Sequence, residues 1–202
     1  RYPVSYLAEV GTPASPDVGL LAKGELVKVK GHRQNPIVRA DGTSTTFSRE
    51  FPEVHIQHEG QRVILMPLHF RSKYYDDPER RLAEAKAAQS IAVSVAEEYP
   101  EAIIIVGGDV NDAIASPAML ALEEGGLLDS VHDDIPLHKR WTYTFNNTQN
   151  MIDHLLIARE ARGHWVLGDT RVVREDLVGS WPSDHAALTA TIASEALDSD
   201  RR

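Results

Sequence analysis

The chain has 202 residues, 42% of them hydrophobic and 25% charged, a balance that indicates one ordinary globular domain. Its formal net charge of −9, from 21 basic and 30 acidic side chains, disfavours tight, sequence-independent binding to nucleic acid. No run approaches the roughly 18 apolar residues of a membrane span, and the lack of cysteine excludes disulfides and thiolate metal ligands. We therefore expect a soluble domain over residues 1–193 and a polar tail at 194–202. The compartment, secreted or cytoplasmic, and the oligomeric state stay open.

Strand patterns dominate the first part of the chain. Residues 18–21 and 26–29 are typical of short strands separated by a Lys-Gly turn, and the polar, turn-rich segment 31–48 predicts a surface loop. Alternating polarity at 54–58 and a continuous apolar run at 63–66 lie on either side of a Glu-Gly turn. This pair predicts a hairpin whose second strand is buried on both faces.

A long helix follows the hairpin. Asp77 is a suitable N-cap, Pro78 fits the first turn, apolar residues recur at helical spacing from 82 to 96, and Tyr99-Pro100 ends the pattern. The rest of the chain is richer in strands than in helices, so the fold class is α/β. The remaining predicted elements are a strand at 103–106, a short helix at 117–124, and strands at 142–145, 152–158, 165–167 and 186–192.

A polar block, Gly-Gly-Asp-Val-Asn-Asp, follows the strand at 103–106 and contains Asp109 and Asn111. In an extended segment, residues two apart project to the same side, so a carboxylate and an amide would face one phosphate. The two glycines permit a sharp turn or a close ligand approach. The alternative is a simple strand-to-helix turn in which Asp112 caps the next helix.

Two more polar groups stand at strand ends in the second half. Asp153 interrupts an apolar run, and a carboxylate that enters a buried strand is costly unless it is paired, which suggests a histidine partner. Its neighbour His154 would point to the opposite face and is interpreted as structural. Ser-Asp-His at 183–185 precedes the last strand, so Asp184 and His185 project in opposite directions unless the turn twists them. Alone, this segment also fits an ordinary turn.

A fourth polar cluster follows the buried strand at 63–66. His69, Arg71, Ser72 and Lys73 supply donors that suit an anionic oxygen group, although a solvated strand-to-loop junction would contain similar residues. Any one of these polar strand ends could occur by chance. Four of them with compatible chemistry in one chain are much harder to explain in that way. Together they indicate metal-assisted attack on a phosphate ester, in which oxygen ligands hold a divalent cation and a carboxylate-oriented histidine handles the proton of the attacking water.

Taken in chain order, the four blocks resemble the motifs of the endonuclease/exonuclease/phosphatase family, over about residues 17 to 192. The resemblance implies a four-layer sandwich of two packed mixed β-sheets flanked by helices. It also implies Mg²⁺ as the cofactor, with Mn²⁺ or Ca²⁺ as alternatives. The implied catalytic residues are His69, Asp109, Asn111, Asp153 and His185, the implied metal ligands are Asp184 and Asp109, and the implied substrate contacts are Arg71, Ser72 and Lys73.

One departure from the family pattern concerns the start of the chain. The family opens with a strand, a helix and a segment that carries a glutamate metal ligand, and Leu-Ala-Glu-Val at 7–10 resembles that segment only superficially, because no helix fits between it and Asp17. We therefore expect the first strand-helix unit to be missing, which would weaken metal binding by this chain.

The leading hypothesis is a phosphodiesterase or nuclease. Its substrate would be a nucleic acid, a phospholipid, or a sugar or inositol phosphate. The alternative is a catalytically impaired pseudoenzyme or interaction module on the same scaffold, and a weaker third hypothesis is a structural protein in which these blocks are only turns.

Overall fold

The computed structural model describes residues 1–11, 16–174, 183–193 and 195 of the chain. Strands outnumber helices in this part of the chain, and short 3₁₀ turns form at 124–126, 131–134, 137–139 and 159–164. The strands are β1 (Val4–Ala8), β2 (Val18–Ala22), β3 (Glu25–Gly31), β4 (Ile37–Val38), β5 (Ser44–Thr45), β6 (Pro52–His58), β7 (Gln61–His69), β8 (Ile103–Asp109), β9 (Leu128–Ser130), β10 (Tyr143–Phe145), β11 (Thr148–Asn150), β12 (Asp153–Ala158), β13 (Arg171–Val173) and β14 (Ala187–Thr189), and the helices are α1 (Pro78–Glu98) and α2 (Pro117–Leu122).

A mixed, six-stranded sheet in the order β3-β6-β7-β8-β12-β9 is the centre of the fold. Strands β7 and β8 run parallel, whereas the pairs β6–β7 and β8–β12 are antiparallel. The predicted hairpin is confirmed, with Val54 opposite Leu65 in the β6–β7 ladder. The predicted α/β class is confirmed as well, because α1 carries the chain from β7 to its parallel neighbour β8.

Helix α1 begins and ends at the predicted residues. The Asp77 carboxylate accepts a hydrogen bond from the Arg80 N–H at 3.1 Å, Pro78 occupies the first turn, and the Tyr99 N–H donates to the Val95 carbonyl. Several alanines on the inner face of this helix are completely buried and let it pack closely against the sheet. These alanines are Ala85, Ala88 and Ala92.

The opposite face of the sheet is covered by short strand pairs. Val4 of the β1–β2 ladder packs with Val54 and Ile56 of β6, and Leu188 of the β13–β14 ladder packs with Ile157 of β12. The described residues thus form a helical layer, a central sheet and a second strand layer. The fourth layer of the predicted sandwich stays a prediction.

Three sequence-based element predictions need correction. Segment 31–48 is not only a loop, because Ile37 and Phe47 are buried in the main core and β4 pairs with β5. Residues 165–167 form no strand, since Trp165 contributes only an isolated bridge to Ile192. The last strand is shorter than predicted and covers Ala187–Thr189, while the predicted tail lies outside the described residues apart from 195. Strand β1 was not predicted.

None of the described helices has the length and apolar character of a membrane span.

Candidate active site

Three neighbouring strands of the central sheet bring polar side chains to one edge. His69 is the last residue of β7 and lies opposite Asp109, the last residue of β8, in the parallel ladder. Asp153, the first residue of β12, lies opposite Asp109 in the antiparallel ladder on the other side. The register therefore places His69, Asp109 and Asp153 in one row at the carboxyl ends of β7 and β8, where open α/β sheets bind ligands.

His185 completes a compact cluster with the two aspartates. Its Nδ1 donates to the Asp153 Oδ2 at 2.8 Å, and this half-buried carboxylate thus has the histidine partner that the sequence suggested. Ligand atoms of Asp109, Asp153 and His185 all lie within 4.8 Å of one another. A backbone bridge between His185 and Tyr143, together with a hydrogen bond from the His185 N–H to the Ser183 hydroxyl, fixes the approach of the histidine.

The turn after β8 differs from the extended segment assumed for Asp109 and Asn111. Asn111 has φ 57°, and its N–H donates to the Asp109 carboxylate at 2.7 Å. Its amide donates to the Phe70 carbonyl at 3.2 Å. The left-handed turn, which asparagine tolerates better than most residues, thus brings both side chains to the same cavity. The alternative role of Asp112 as a helix cap is wrong, since Ser116 caps α2.

Close strand packing explains the glycines of this block. A Cβ on Gly108, which has φ +142°, would lie 2.1 Å from the Leu68 carbonyl oxygen, and one on Gly107 would lie 2.4 Å from the Leu155 side chain. The Leu155 methyl could rotate away, but the Leu68 carbonyl and the His154 carbonyl, which would lie 2.9 Å from a Cβ on Gly107, belong to the backbone of paired strands. The glycines therefore serve the register that aligns the site.

A cavity of about 590 Å³ opens over this edge of the sheet. Both Asp109 and His185 line it, whereas Asp153 lies behind His185 and lines the adjoining cleft. Of the three predicted substrate contacts, Ser72 and Lys73 line the cavity, whereas Arg71 does not. The full set of lining residues is Pro16, Arg49, His69, Ser72, Lys73, Tyr74, Asp109, Asn111, Tyr143, Phe145, Asn150, Ile152 and His185.

Arg49 is a cavity residue that sequence reasoning missed. Its guanidinium donates to the Phe70 carbonyl at 3.2 Å, the same oxygen that Asn111 contacts. Burial lowers the pKa of this guanidinium, which nevertheless stays charged in proteins. Arg49 lies three residues before β6 in a segment without periodicity, so no pattern marked it as a site residue.

Glu84 of α1 holds the two segments that surround Arg49 and Ser72. It is completely buried, and its carboxylate accepts hydrogen bonds from the Ser48 N–H at 2.6 Å and the Arg71 N–H at 2.7 Å. Burial raises the pKa of Glu84. This carboxylate therefore ties the helix to both cavity loops.

Burial and charge set the protonation of the site. Burial raises the pKa of Asp109 to about 6, and the negative charge of Asp153 acts in the same direction. Burial also lowers the pKa of His69 to about 4, so this imidazole is neutral at pH 7, and its Nε2 lies 3.6 Å from the Asp109 Oδ2. The hydrogen bond to Asp153 raises the pKa of His185.

The donor set fits a divalent cation. Two carboxylates and an imidazole converge. Burial raises the pKa of Asp109 most, and the charge of Asp153 adds a repulsion that a cation would relieve. Asp109 is the residue best placed to hold the ion, because it lines the cavity and is the centre of the row. Asp184, the other predicted ligand, is exposed and does not belong to the cluster that the described residues form.

Three other residues singled out in the sequence lie outside the cavity. The Arg71 guanidinium donates to the Tyr75 carbonyl at 2.9 Å. His154 is 1% exposed, with its Nε2 2.9 Å from the Asp112 carbonyl, in the structural position expected for it. Glu9, the residue in the segment that superficially resembles a family metal-binding segment, is exposed.

The sequence matches no protein-family model and no curated protein. Solved structures are similar in fold. A Danio rerio TDP2 complexed with single-strand DNA product is 15% identical at TM-score 0.66, over 93% of this chain and 76% of that one. An endonuclease/exonuclease/phosphatase family protein from Leptotrichia buccalis is 14% identical at TM-score 0.61, over 94% and 69%. The mannosyl-6-phosphatase Bt3783 of Bacteroides thetaiotaomicron is 16% identical at TM-score 0.65, over 95% and 78%. The chain therefore has the fold of the endonuclease/exonuclease/phosphatase proteins.

Proposed function

We propose that this chain is a divalent-metal-dependent hydrolase of phosphate esters. The observation that carries the proposal is the convergence of Asp109, Asp153 and His185 within 4.8 Å, beside a cavity that Arg49 and Lys73 also line. Carboxylates suit a hard cation, and the cationic side chains suit the phosphoryl oxygens. The similar structures, whose names include a phosphatase and a TDP2 with a DNA product, support the same reaction class.

Each residue has a chemical task in this proposal. Asp153 accepts from the His185 Nδ1 and thereby fixes the tautomer in which Nε2 is the basic nitrogen, suited to take a proton from the attacking water. Asn111 and neutral His69 orient the phosphoryl group by hydrogen bonds, and Arg49 neutralises its charge. A bound Mg²⁺ would supply further charge neutralisation on the phosphoryl oxygens.

Turnover of bis-p-nitrophenyl phosphate tests the proposal. We expect Mg²⁺- or Mn²⁺-dependent release of nitrophenol that EDTA abolishes, and a loss of about 100-fold or more in Asp109→Asn and His185→Ala. Glu97→Gln is the matched control, because this carboxylate is exposed at the far end of α1. Equal rates in wild type and both site variants would refute the hydrolase.

A catalytically impaired module is the second candidate. The exposure of Asp184 favours it, since only two carboxylates of the described residues converge in the cluster and Asp153 already accepts from His185. Isothermal titration with Mg²⁺ or Mn²⁺ separates the two candidates. Binding that Asp109→Asn abolishes supports the hydrolase, whereas no binding in the wild-type chain supports the module.

A further inference from the structure

Aromatic side chains line the outer part of the cavity and have no task in the proposed reaction. Tyr74 and Phe145 are 75% and 61% exposed, respectively, and Tyr143 lies deeper, with its ring 4.8 Å from that of His185. At about 590 Å³, the cavity has the size of pockets that hold whole small molecules rather than a phosphate alone. The part of a substrate next to the phosphate would therefore meet these rings.

The β10–β11 hairpin presents one aromatic wall. Tyr143 and Phe145 are two residues apart on β10, so both project from the same face of the strand. Asn146 and Asn147 have φ 47° and 62°, as in the tight hairpin turns that asparagine favours. The short turn holds Phe145 at the cavity mouth.

The loop after β7 contributes the other exposed aromatic side chain of the cavity lining. The ring of Tyr74 packs against that of Tyr75 at 4.6 Å with an interplanar angle of 70°. Tyr75 has φ 53°, an unfavourable value for a bulky residue, and the Arg71 guanidinium holds its carbonyl at 2.9 Å. The Tyr74 N–H donates to the Ser72 hydroxyl at 3.0 Å. These contacts hold the backbone of the loop, which places the Tyr74 ring at the cavity.

We propose that Tyr74 and Phe145 form a nucleobase-binding cleft, so that the substrate is a nucleotide unit whose base lies between these rings while its phosphate reaches Arg49 and Asn111. The inference rests on the proposed function, because the phosphate position is the one assigned there. Base-aromatic stacking is tolerant of base identity and does not need hydrogen-bond readout. A sugar or inositol phosphate has no planar group to place against the rings.

The charge distribution favours one nucleotide unit over a long strand. The chain has a net charge of −9, and Lys73 at the cavity pairs with Asp112 at 3.1 Å. Trp141, an aromatic residue outside the cavity lining, is covered by the Arg174 guanidinium at 3.7 Å from its ring centroid. A polymer would gain little from phosphates beyond the first.

Calorimetric titration in EDTA, which prevents turnover, tests the cleft. The ligands are dAMP, 2-deoxyribose 5-phosphate and a short 5′-phosphorylated oligo(dA). We expect dAMP to bind about tenfold tighter than the base-free sugar phosphate. Tyr74→Ala should remove that preference and leave affinity for the sugar phosphate unchanged, Tyr74→Phe should keep it, and Tyr2→Ala, an exposed tyrosine outside the cavity, is the matched control.

Several outcomes would overturn the inference. These are equal affinity of wild type for dAMP and the sugar phosphate, no measurable dAMP binding, or an unchanged preference in Tyr74→Ala. Oligo(dA) that binds no tighter than dAMP supports a single nucleotide unit, and a much tighter, salt-dependent affinity contradicts it. If the wild type prefers dAMP over the sugar phosphate but shows no phosphodiesterase turnover, only the hydrolase is rejected. The two proposals can therefore be refuted independently.

Discussion

Asp109 and Asp153 are direct cross-strand partners at the edge of the central sheet, one ending β8 and the other beginning β12. Like charges directly opposite each other destabilise a sheet, so this pair is unfavourable unless something compensates for it. Asp153 has His185 at 2.8 Å, whereas burial and the charge of Asp153 raise the pKa of Asp109 to about 6. The arrangement is costly for stability and suits a cation site.

The pairing of Asp153 with His185 predicts the effect of Asp153→Asn. The amide keeps the shape of the carboxylate but no longer stabilises the tautomer and positive charge of His185, so we expect kcat to fall about 100-fold or more. Folding should be preserved, because the substitution removes one charge from the Asp109–Asp153 pair. Measured kcat together with thermal unfolding checks both expectations, and wild-type turnover in this variant would exclude His185 as the base.

The hydrogen bonds of Glu84 to the two cavity loops predict that its substitution affects substrate binding indirectly. In Glu84→Gln only one side-chain oxygen remains to accept from the N–H groups of Ser48 and Arg71, so one buried donor loses its partner, at about 1–3 kcal/mol of unfolding free energy. We also expect a higher KM, because Arg49 and Ser72 follow the tethered residues. Urea unfolding and steady-state kinetics measure the two effects.

The control for this prediction is Glu97→Gln, an exposed position on the same helix and outside its first turn. Its unfolding free energy and KM should match those of the wild-type chain. If Glu84→Gln behaved in the same way as the control, the two loops would not depend on the buried carboxylate.

The close packing of β8 against β7 at Gly108 predicts that an added side chain lowers the free energy of unfolding. In Gly108→Ala the new Cβ would meet the Leu68 carbonyl and the backbone would stay at φ +142°, so we expect about 3 kcal/mol or more of destabilisation. Gly60→Ala is a matched comparison with φ +85° and no neighbour within 4 Å, and it should cost about 1 kcal/mol. Similar unfolding free energies in both variants would show that the close approach of Gly108 to Leu68 adds nothing to the destabilisation.

A buried charge network predicts the acid stability of the β3–β6 edge. Glu53 is 1% exposed, and although burial alone would raise its pKa, hydrogen bonds from His55, Lys28 and His32 lower the pKa to about 2 from an ordinary 4.5. Because the folded-state pKa is depressed, the contribution is complete above pH 4.5 and is lost as the pH falls toward 2. The shift corresponds to about 3 kcal/mol at neutral pH.

Urea unfolding of wild type and Glu53→Gln at several pH values measures this contribution. The difference in unfolding free energy should be largest at neutral pH and should shrink as the pH falls from 4.5 toward 2. A difference that stayed constant over this range would contradict a linkage to the Glu53 carboxyl.

The sequence predicts strand-end residues better than it predicts their neighbours in space. His69, Asp109 and Asp153 each follow or interrupt an apolar run, so their types and strand ends were recognisable. Their alignment depends on β8 lying between β7 and β12, an order that no local pattern encodes. The sequence indicated a shared site through the compatible chemistry of these side chains.

Loop residues were harder to predict for a physical reason. Arg49 and Tyr74 belong to segments without periodicity, and the positions of these segments depend on tertiary contacts such as those of Glu84 with Ser48 and with Arg71. The buried Ile37 and Phe47 likewise pack against distant parts of the core, so composition alone made their segment look solvated. Local sequence cannot report contacts that form between distant segments.

The proposed hydrolase depends on Asp109 holding a divalent cation at the edge of the sheet. Anomalous diffraction from crystals soaked in Mn²⁺ tests it most directly. We expect an anomalous peak in the cavity, bonded to a carboxylate oxygen of Asp109, and the same map would show whether Asp184 is a ligand. A well-ordered crystal with no peak at Asp109, or with peaks only on surface carboxylates, would show that Asp109 holds no cation.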